Sequence, residues 1–349
     1  MTPPVTQRAT APQILSRCRD LVRPALARTV RQLHPWHGEI TAFSLGWDGV
    51  DGGEIPGAQG KGVRQALAVL GAQAVGAKPQ SAVLGAVAVE LIHTFSLLHD
   101  DIMDGDETRR RRATAWKAYG TGPAVLAGDA LFAQAVQTLA DAPGPQCVRA
   151  VRLLAGTLND LVRGQADDLL FESRPWTGPE AVQPHEYRLM AEHKTGSLLG
   201  CAAGLGAVLG GAGRTEADAL TAAGRHLGVA FQCADDVLGI WGDPAVTGKP
   251  VHSDLRRRKK TYPVLAALAA AGPAATELGA LLRGGGPLDD TAVRRAAELT
   301  EDAGGRAAAA AEAHRHLESA RACLDSVPLA PDALDEILTL LPYVVERTV

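Results

Sequence analysis

The chain has 349 residues, a formal net charge of -4, and 46% hydrophobic but only 4% aromatic residues. The near-neutral balance argues against nucleic acid as a partner, and a chain rich in Ala and Leu but poor in aromatics favours helix over strand. Its five cysteines are scattered and form no C-x-x-C pair, which is typical of free thiols in a reducing cytosol and argues against a disulfide framework.

The N-terminal segment MTPPVTQRATAP has no apolar core of the kind found in a secretory signal. The weakly polar run LLGCAAGLGAVLGGAG (198–213) is rich in Gly and shorter than the roughly 18 residues needed to span a bilayer. We therefore expect a cytoplasmic protein without a membrane span.

Helical periodicity dominates the chain. Residues 1–11 are expected to form a disordered tail, and residues 12–349 a single all-α domain. Helical patterns cover 12–34, 62–76, 81–103, 123–140, 146–172, 185–212, 215–241, 261–283, 289–321 and 330–346, and loops are predicted for 37–60 and 243–260. The sequence contains no alternating strand pattern and no repeat of solenoid length.

The helix predicted near residues 81–103 carries one polar stripe on an apolar surface. Glu90, His93, Asp100 and Asp104 follow one another at steps of three, seven and four residues, with Asp101 beside them. Carboxylates on a buried face need a cation, and the negative end of the helix dipole favours one there. We call Asp100, Asp101 and Asp104 the first acidic turn.

A second apolar helix repeats this arrangement. Gln232, Asp235, Asp236, Gly239 and Asp243 share one face of the predicted helix 215–241 and the residues directly after it. We call Asp235 and Asp236 the second acidic turn. Oxygen ligands of this kind suit Mg²⁺, which takes one or two carboxylates and completes its shell with water and phosphate oxygens.

Several basic residues follow one of the two acidic turns in the sequence, and others lie on or beside other predicted helices. Arginine forks and lysine charges are the groups that bind diphosphates. The candidates are Lys61, Arg64, Arg109, Arg110, Lys194, Lys249, Lys259 and Lys260.

In these motifs the chain resembles the trans-isoprenyl diphosphate synthase, or polyprenyl synthetase, family, from about residue 60 to 263. DDIMDGDETRR (100–110) matches the first Asp-rich motif of that family in full, and FQCADDVLGIWGD (231–243) resembles the second. GKGVRQ (60–65), the His of LIHTFSLLHDD (91–101), GQADD (164–168) and KT (194–195) follow the same pattern. The resemblance implies an isoprenoid-synthase helical bundle around a central apolar cavity, most like that of geranylgeranyl diphosphate synthases.

The resemblance also implies roles for individual residues. About three Mg²⁺ ions per site are expected to bind to aspartate carboxylates. The expected metal ligands are Asp100, Asp101, Asp104, Asp235 and Asp236. The allylic diphosphate is expected to contact Arg109, Lys194, Thr195, Gln232, Lys249 and Lys259, and isopentenyl diphosphate to contact Lys61, Arg64, His93 and Arg110. Gln165 and Asp168 are expected to line the same site. The residues expected to be catalytic are Asp100, Asp104, Arg109, Lys194, Asp235 and Lys249.

The implied reaction begins with loss of diphosphate from dimethylallyl, geranyl or farnesyl diphosphate. The double bond of isopentenyl diphosphate attacks the resulting cation, and loss of a proton completes the extension by five carbons. Phe95 and Ser96, five and four residues before Asp100, are expected to set the product length at C20, with C15 as the alternative. A homodimer is expected by analogy with the family.

Two departures from the family pattern stand out. Gly239 occupies the place of the third Asp of the second motif, and Gly62 and Gln65 occupy the places of Arg and Pro in the first basic segment. The sequence alone predicts that Gly239→Asp leaves the enzyme active.

Two other functions remain open from the sequence. One is a class I terpene cyclase, since NDLVRGQAD (159–167) begins like the second metal motif of cyclases, although Arg163 stands at its Ser/Thr position. The other is a catalytically silent partner subunit of another synthase. Incubation with Mg²⁺, isopentenyl diphosphate and allylic diphosphates separates the three.

Overall fold

The computed structural model describes residues 9–47, 49–51, 55, 60–244, 250–284, 286 and 288–345. Most of this part of the chain is helical, with very little strand, as the composition and periodicity predict, and the all-α prediction is confirmed. The predicted tail falls mainly on residues 1–8, which lie outside the described residues.

The first helices in chain order are α1 (Ala11–Gln32), α2 (Pro35–Leu45), α3 (Val63–Ala74), α4 (Val83–Met103), α5 (Ala115–Tyr119) and α6 (Thr121–Ala140). A 3-10 turn, Pro79–Ala82, leads into α4. Between α4 and α5, β1 (Thr108–Arg109) pairs antiparallel with β2 (Arg112–Ala113).

The later helices are α7 (Gln146–Ser173), α8 (Pro184–Ala191), α9 (Ser197–Leu209), α10 (Arg214–Trp241), α11 (Ser253–Arg256), α12 (Tyr262–Ala269), α13 (Pro273–Arg283), α14 (Asp290–Asp302), α15 (Gly305–Asp325) and α16 (Pro331–Val345). A π-helical turn, Glu192–Gly196, joins α8 to α9.

Three details differ from the sequence-based prediction. α2 covers the first part of the segment 37–60, for which a loop was predicted, and begins two residues before it. Pro35 is favourable at the first position of a helix, but the many glycines of the segment led to the prediction of a loop. The predicted helix 261–283 is divided into α12 and α13 because Gly272 adopts φ 136° directly before Pro273. The predicted helix 289–321 is likewise divided, at residues 303–304.

The chain packs as two compact units. Unit 1 comprises the described residues within Met1–Ala155, Cys201–Thr221 and Ser326–Leu340. Unit 2 comprises those within Gly156–Gly200, Ala222–Asp325 and Leu341–Val349. The first acidic turn belongs to unit 1 and the second to unit 2. The single domain 12–349 stays a prediction.

The core of unit 1 surrounds α4, whose buried face includes Leu91, Ile92 and Leu98. Together with its 3-10 turn, α4 forms a segment, Pro79–Met103, that is long and apolar enough by composition to cross a membrane, and 56% of its most apolar window is buried inside the protein. This segment is longer than the run 198–213 on which the membrane expectation rested. Its burial is that of a central core helix.

The core of unit 2 lies around the C-terminal half of α10. Val229 and Cys233 of this helix pack with Phe171 of α7, Tyr187 of α8 and Tyr262 of α12. The two tyrosines bring hydroxyl groups into an apolar cluster, and buried hydroxyls require hydrogen-bond partners. Both tyrosines lie next to the second acidic turn, which the same part of α10 carries.

Candidate active site

The first acidic turn ends α4 with two different kinds of carboxylate. Asp100 and Asp104 are half-buried, whereas Asp101 is only 5% exposed. Arg109 binds Asp101 through Nη2 at 2.6 Å and Nε at 2.8 Å, both to Oδ1. Burial raises the pKa of Asp101 and the Arg109 guanidinium opposes that shift. Asp101 therefore holds an arginine, and Asp100 and Asp104 remain nearer to solvent.

The neighbouring arginines Arg109 and Arg110 differ in position, because Arg109 ends β1 and Arg110 is the first residue of the two-residue turn that follows. Arg110 and Arg111 have φ values of 51° and 63°, the left-handed geometry of the tight turns that join two paired strands. Arg109 turns back to Asp101, whereas the Arg110 guanidinium lies over Gly60, where a Cβ atom would be 2.9 Å from its Nη2. The hairpin thus aims consecutive cations at different partners.

The Arg110 side faces a basic cluster on α3 and α4. Arg64 Nη1 lies 3.3 Å from His93 Nε2. Burial, and then the charges of Arg64 and Arg110, hold the pKa of His93 well below its usual range, so the imidazole is neutral. Burial raises the pKa of Glu90, one turn before His93, while Arg64 opposes that shift. Glu90, for which the sequence predicted no role, belongs to this cluster.

Gly62, one of the departures from the family pattern, lies beside the side chain of Arg19, which is distant in sequence. Gly62 is the N-cap of α3 with φ 73°, a conformation that favours glycine. A Cβ atom there would be 3.4 Å from Arg19 Nε. Arg19, on α1, donates to the Lys61 carbonyl at 3.1 Å. Lys61 itself is exposed. A guanidinium is therefore present beside the segment in which the family arginine is missing.

In unit 2, glycines bring three helical segments into close contact around the π-helical turn. A Cβ atom at Gly164 of α7 would overlap the backbone of Lys194, and one at Gly228 of α10 would lie 2.7 Å from the backbone nitrogen of Gly196. π-helical turns occur often at functional sites. This one carries Lys194, whose ammonium group lies 2.6 Å from Asp168 Oδ2.

Asp236 of the second acidic turn is buried among neutral donors. The Tyr187 hydroxyl donates to Oδ2 at 2.6 Å, the Tyr262 backbone N–H donates to Oδ2 at 3.0 Å, and the Gln232 amide donates to Oδ1 at 3.0 Å. Thr195 in turn donates to Gln232 Oε1 at 2.9 Å. Burial raises the pKa of Asp236 to about 7, although all three donors oppose that shift.

Gln165 has buried polar atoms without a partner. Neither Nε2 nor Oε1 of its side chain has a hydrogen-bond partner within the described part of the chain. Such groups are rare in folded proteins and call for a ligand or an ordered water. The residue lies on α7, one turn before Asp168.

Each acidic turn, taken by itself, presents carboxylates of the kind that bind Mg²⁺ together with a diphosphate. Within the described ranges, no three His, Cys, Asp or Glu side chains converge as a closed metal cage. Mg²⁺ does not require such a cage, because it binds through one or two carboxylates and takes its other ligands from water and phosphate. Asp100, Asp104 and Asp235 are half-buried carboxylates of this type.

The other predicted residues have the following positions. Lys249 lies outside the described residues. Lys259 is partly buried, and its backbone N–H donates to the Asp254 carbonyl at 2.9 Å. The Phe95 ring packs edge-on against His99 at 4.7 Å and Phe132 of α6 at 5.6 Å between centroids. Ser96 Oγ donates to the His93 carbonyl at 2.9 Å.

The sequence did not identify Arg19, Tyr187 or Tyr262 as site residues. The sequence offered one indication for the two tyrosines. The chain has only four tyrosines, and a tyrosine hydroxyl that becomes buried needs a hydrogen-bond partner. No sequence spacing connects Arg19 with Gly62, because they meet only through the packing of α1 near α3.

Comparisons with known proteins agree with this chemistry. The family model described as polyprenyl synthetase matches residues 53–300. The chain is 42% identical over 337 residues to (2E,6E)-farnesyl diphosphate synthase of Mycobacterium tuberculosis, covering 96% of this chain and 92% of the relative. It is also 42% identical to the geranylgeranyl diphosphate synthase of that species, over 92% of this chain and 91% of the relative. The crystal structure of a polyprenyl synthetase from Streptomyces coelicolor A3(2) superposes with a TM-score of 0.89 at 45% identity, over 95% of this chain and 98% of that one.

Proposed function

The chain belongs to the polyprenyl synthetase family, and we propose that it makes a C20 polyprenyl diphosphate, with C15 as the alternative product. It is a prenyltransferase that forms short-chain polyprenyl diphosphates from prenyl diphosphate substrates. The terpene cyclase and the silent subunit gain no support from its relatives.

The observation that carries the division of roles is that Arg109, at the end of β1, and Arg110, in the hairpin turn, have different partners. Arg109 belongs to the first acidic turn, where we place the allylic diphosphate with Asp100 and Asp104. Arg110 belongs with Arg64 and the neutral His93, where we place isopentenyl diphosphate. Charged hydrogen bonds of guanidinium groups to phosphate are strong and directional.

The second acidic turn takes part through Asp235, while Asp236 orders its surroundings. The family uses Mg²⁺ for diphosphate binding, and when bound the metal would neutralise charge that builds on the departing diphosphate. We propose Asp100, Asp104 and Asp235 as its ligands. Lys194 and Thr195 on the π-helical turn, and Gln165 on α7, contact phosphate or the bound substrate.

The chain does not require a protein base for the last step. A neutral His93 whose pKa is held low by burial and by arginines is a poor proton acceptor. We propose that the released diphosphate accepts this proton instead. His93 therefore acts as a phosphate ligand.

Product length is the finer part of the proposal. The matched farnesyl and geranylgeranyl synthases are equally similar to this chain, so identity does not choose between C15 and C20. Ser96 is too small to block a growing chain, whereas Phe95 offers a ring that packs against α6. We propose that the ring cluster of Phe95, His99 and Phe132 limits elongation.

This limit is tested by exchanging the rings one at a time. Phe95→Ala should extend the products to C25 or longer, and Phe132→Ala, which removes the more exposed outer ring of the same cluster, should change the distribution less. Chromatography of the dephosphorylated products measures both. An unchanged distribution from folded Phe95→Ala enzyme would place the limit elsewhere.

We also propose a cytoplasmic homodimer. In the part of α7 that belongs to unit 2, the apolar side chains of Val162, Leu169 and Leu170 are between 37% and 61% exposed. Exposed apolar surface of this extent is typical of an interface. Sedimentation of the wild type should give twice the chain mass, and Leu170→Glu should weaken association.

The function itself is tested by one set of incubations. Purified protein, Mg²⁺ and isopentenyl diphosphate are combined with dimethylallyl, geranyl or farnesyl diphosphate, and the products are dephosphorylated and chromatographed. We expect a C20 alcohol from each allylic substrate. Consumption of allylic diphosphate without isopentenyl diphosphate would indicate a cyclase, and no turnover of any substrate would indicate a silent subunit.

A further inference from the structure

The π-helical turn is held at its first residue by an arginine of α10. Arg225 Nε lies 3.0 Å from Glu192 Oε1. The Ser197 N–H donates to the Glu192 carbonyl five residues earlier, which is the hydrogen bond that defines a π-helical turn. The backbone bond that sets the register of the turn and the ion pair to α10 therefore both begin at Glu192.

The same guanidinium also reaches α7. Arg225 Nη2 lies 2.7 Å from Asp160 Oδ2, and both side chains are about three-quarters buried. An arginine presents its donors in a rigid fork, so one guanidinium can bind two carboxylates from different helices at once. Charges that share one cation in a network hold a geometry better than an isolated surface pair does. We call Asp160, Glu192 and Arg225 the Arg225 bridge.

Asp160 is the second residue of the segment NDLVRGQAD (159–167), which begins like a metal motif of terpene cyclases. The proposed function gives this residue no task. In the structure its carboxylate binds a guanidinium of the chain itself. The Arg225 bridge therefore accounts for a residue that the sequence marked and the reaction did not use.

The turn that the bridge holds carries two polar side chains of the candidate site. Lys194 Nζ lies 2.6 Å from Asp168 Oδ2, and Thr195 donates to Gln232 Oε1 at 2.9 Å. A π-helical turn contains one residue more than an α-helical turn, and one residue of an α-helix corresponds to a rotation of about 100°. Loss of the π-helical register would therefore point Lys194 and Thr195 in new directions.

We propose that Arg225 is a positioning residue, which acts through Glu192 and Asp160 to keep the turn in its π-helical register and so fixes where Lys194 and Thr195 meet the allylic diphosphate. This inference rests on the proposed function, from which it takes the role of Lys194 and Thr195. Arg225 acts through the turn and does not contact the substrate. Its removal should therefore affect one substrate and should do so by way of Lys194.

Steady-state kinetics of folded variants test this inference. The proteins are wild type, Arg225→Gln, Arg225→Lys, Lys194→Gln and the double variant Arg225→Gln/Lys194→Gln. Arg225→Lys keeps the charge but lacks the fork that binds two carboxylates. Arg214→Gln is the matched control, because Arg214 begins the same helix, is 91% exposed and pairs at 3.3 Å with Asp218, which is 70% exposed. Circular dichroism establishes that each variant is folded.

We expect Arg225→Gln to raise the KM for the allylic diphosphate by roughly 10–100-fold, as is typical when a group that orients a ligand-binding residue is removed. The KM for isopentenyl diphosphate should change little, and Arg225→Lys should have a smaller effect in the same direction. In the Lys194→Gln background, Arg225→Gln should add little, because substitutions that act through one group are not additive. The control should match the wild type.

Hydrogen exchange of the peptide that contains residues 192–197 gives a second readout that does not depend on turnover. The Ser197 N–H should exchange faster in Arg225→Gln than in Arg214→Gln, because the bond to the Glu192 carbonyl opens more often. Unchanged exchange, an equal rise of both KM values, or full additivity with Lys194→Gln would overturn the inference. The proposed function fails separately, if the wild type extends no allylic substrate or if Lys194→Gln keeps the wild-type KM for it.

Discussion

The two acidic turns carry the same pair of aspartates near the end of an apolar helix, yet they neutralise the inner one differently. Asp101 is held by the guanidinium of Arg109, a full positive charge. Asp236 is held by a tyrosine hydroxyl, a backbone N–H and an amide, all of them neutral. Neutral donors offset less of the cost of burying a charge than a cation does. The same pair of aspartates is therefore stabilised by a cation in one turn and by neutral hydrogen-bond donors in the other.

The difference suggests distinct tasks for the inner and outer carboxylates. Asp101 positions a cation that belongs to the first turn, whereas Asp236 ties α10 to α8 and α12 through Tyr187 and Tyr262. The outer residues Asp100, Asp104 and Asp235 are more exposed. We expect the outer residues to bind metal, and the inner residues to set the geometry of each turn.

The largest expected effect is on turnover. Asp100→Asn and Asp235→Asn should each lower kcat by roughly 10²–10³ or more, because each removes charge that stabilises the leaving diphosphate. Both should remain folded, since a half-buried carboxylate contributes little to the apoprotein. Steady-state assays against Asp218→Asn as control measure this, and near-normal turnover of either variant would break the assignment of metal ligands.

A pH series sharpens the contrast between the inner aspartates. The pKa of Asp236 is about 7 in the folded chain against 3.8 as its ordinary value, so folding binds a proton between these pH values. The free energy of unfolding should therefore fall as pH rises from about 4 to about 7, by an amount on the order of 4 kcal/mol from this group alone.

Urea denaturation in the presence of a chelator measures that slope. Asp236→Asn should flatten it, because the variant has no proton to exchange. Asp101→Asn should flatten it less, since Arg109 opposes the rise in the pKa of Asp101. Equal slopes in the wild type and in Asp236→Asn would show that the charge of Asp236 is stabilised by more than the three donors described.

Substitution of Arg109 and of Arg110 tests whether the two arginines bind different substrates. Arg110→Ala should weaken isopentenyl diphosphate more than the allylic substrate, and Arg109→Ala the reverse, each by roughly 1.5–3 kcal/mol for a charged hydrogen bond. Binding of each substrate to the variants, followed by calorimetry, checks this. Equal losses of both substrates in both variants would contradict the proposed division of roles between Arg109 and Arg110.

The smallest expected effect concerns one donor to Asp236. Tyr187→Phe removes the hydroxyl bonded at 2.6 Å and should raise the pKa of Asp236 further. The loss of stability should be about 1–3 kcal/mol at pH 8 and smaller at pH 5, where Asp236 is protonated. Tyr119→Phe, which removes a hydroxyl from an exposed bond to Glu39, is the control and should change little. A loss of stability in Tyr187→Phe that is the same at both pH values would argue against a charged Asp236.

The sequence predicts well those features that follow from helical periodicity, such as helix positions and the residues that share one helix face. The stripes on α4 and α10 follow from spacing, and α10 ends at Trp241, where the pattern predicted its end. The hairpin that places Arg109 on a strand and Arg110 in a turn was not predicted, because strands of two residues are too short to show an alternating pattern in the sequence.

Groups that meet through tertiary packing were beyond reach of the sequence. Gly62 and Gly239 read as losses of an arginine and an aspartate. In the structure, Arg19 lies beside Gly62, and the carboxylate of Asp254 fills the space next to Gly239. A missing Cβ shows in the sequence, but which distant side chain fills the space depends on how helices and loops pack. The same limit concealed Tyr187 and Tyr262 as partners of Asp236.

The central claim is that the outer aspartates of both turns bind Mg²⁺ together with diphosphate. Isothermal titration of Mg²⁺ into the protein with inorganic diphosphate tests it most directly, with wild type, Asp100→Asn and Asp235→Asn compared under one condition. The account predicts that the wild type binds Mg²⁺ cooperatively with diphosphate and that each variant binds fewer ions or binds them more weakly. Titrations of both variants that match the wild type would contradict it.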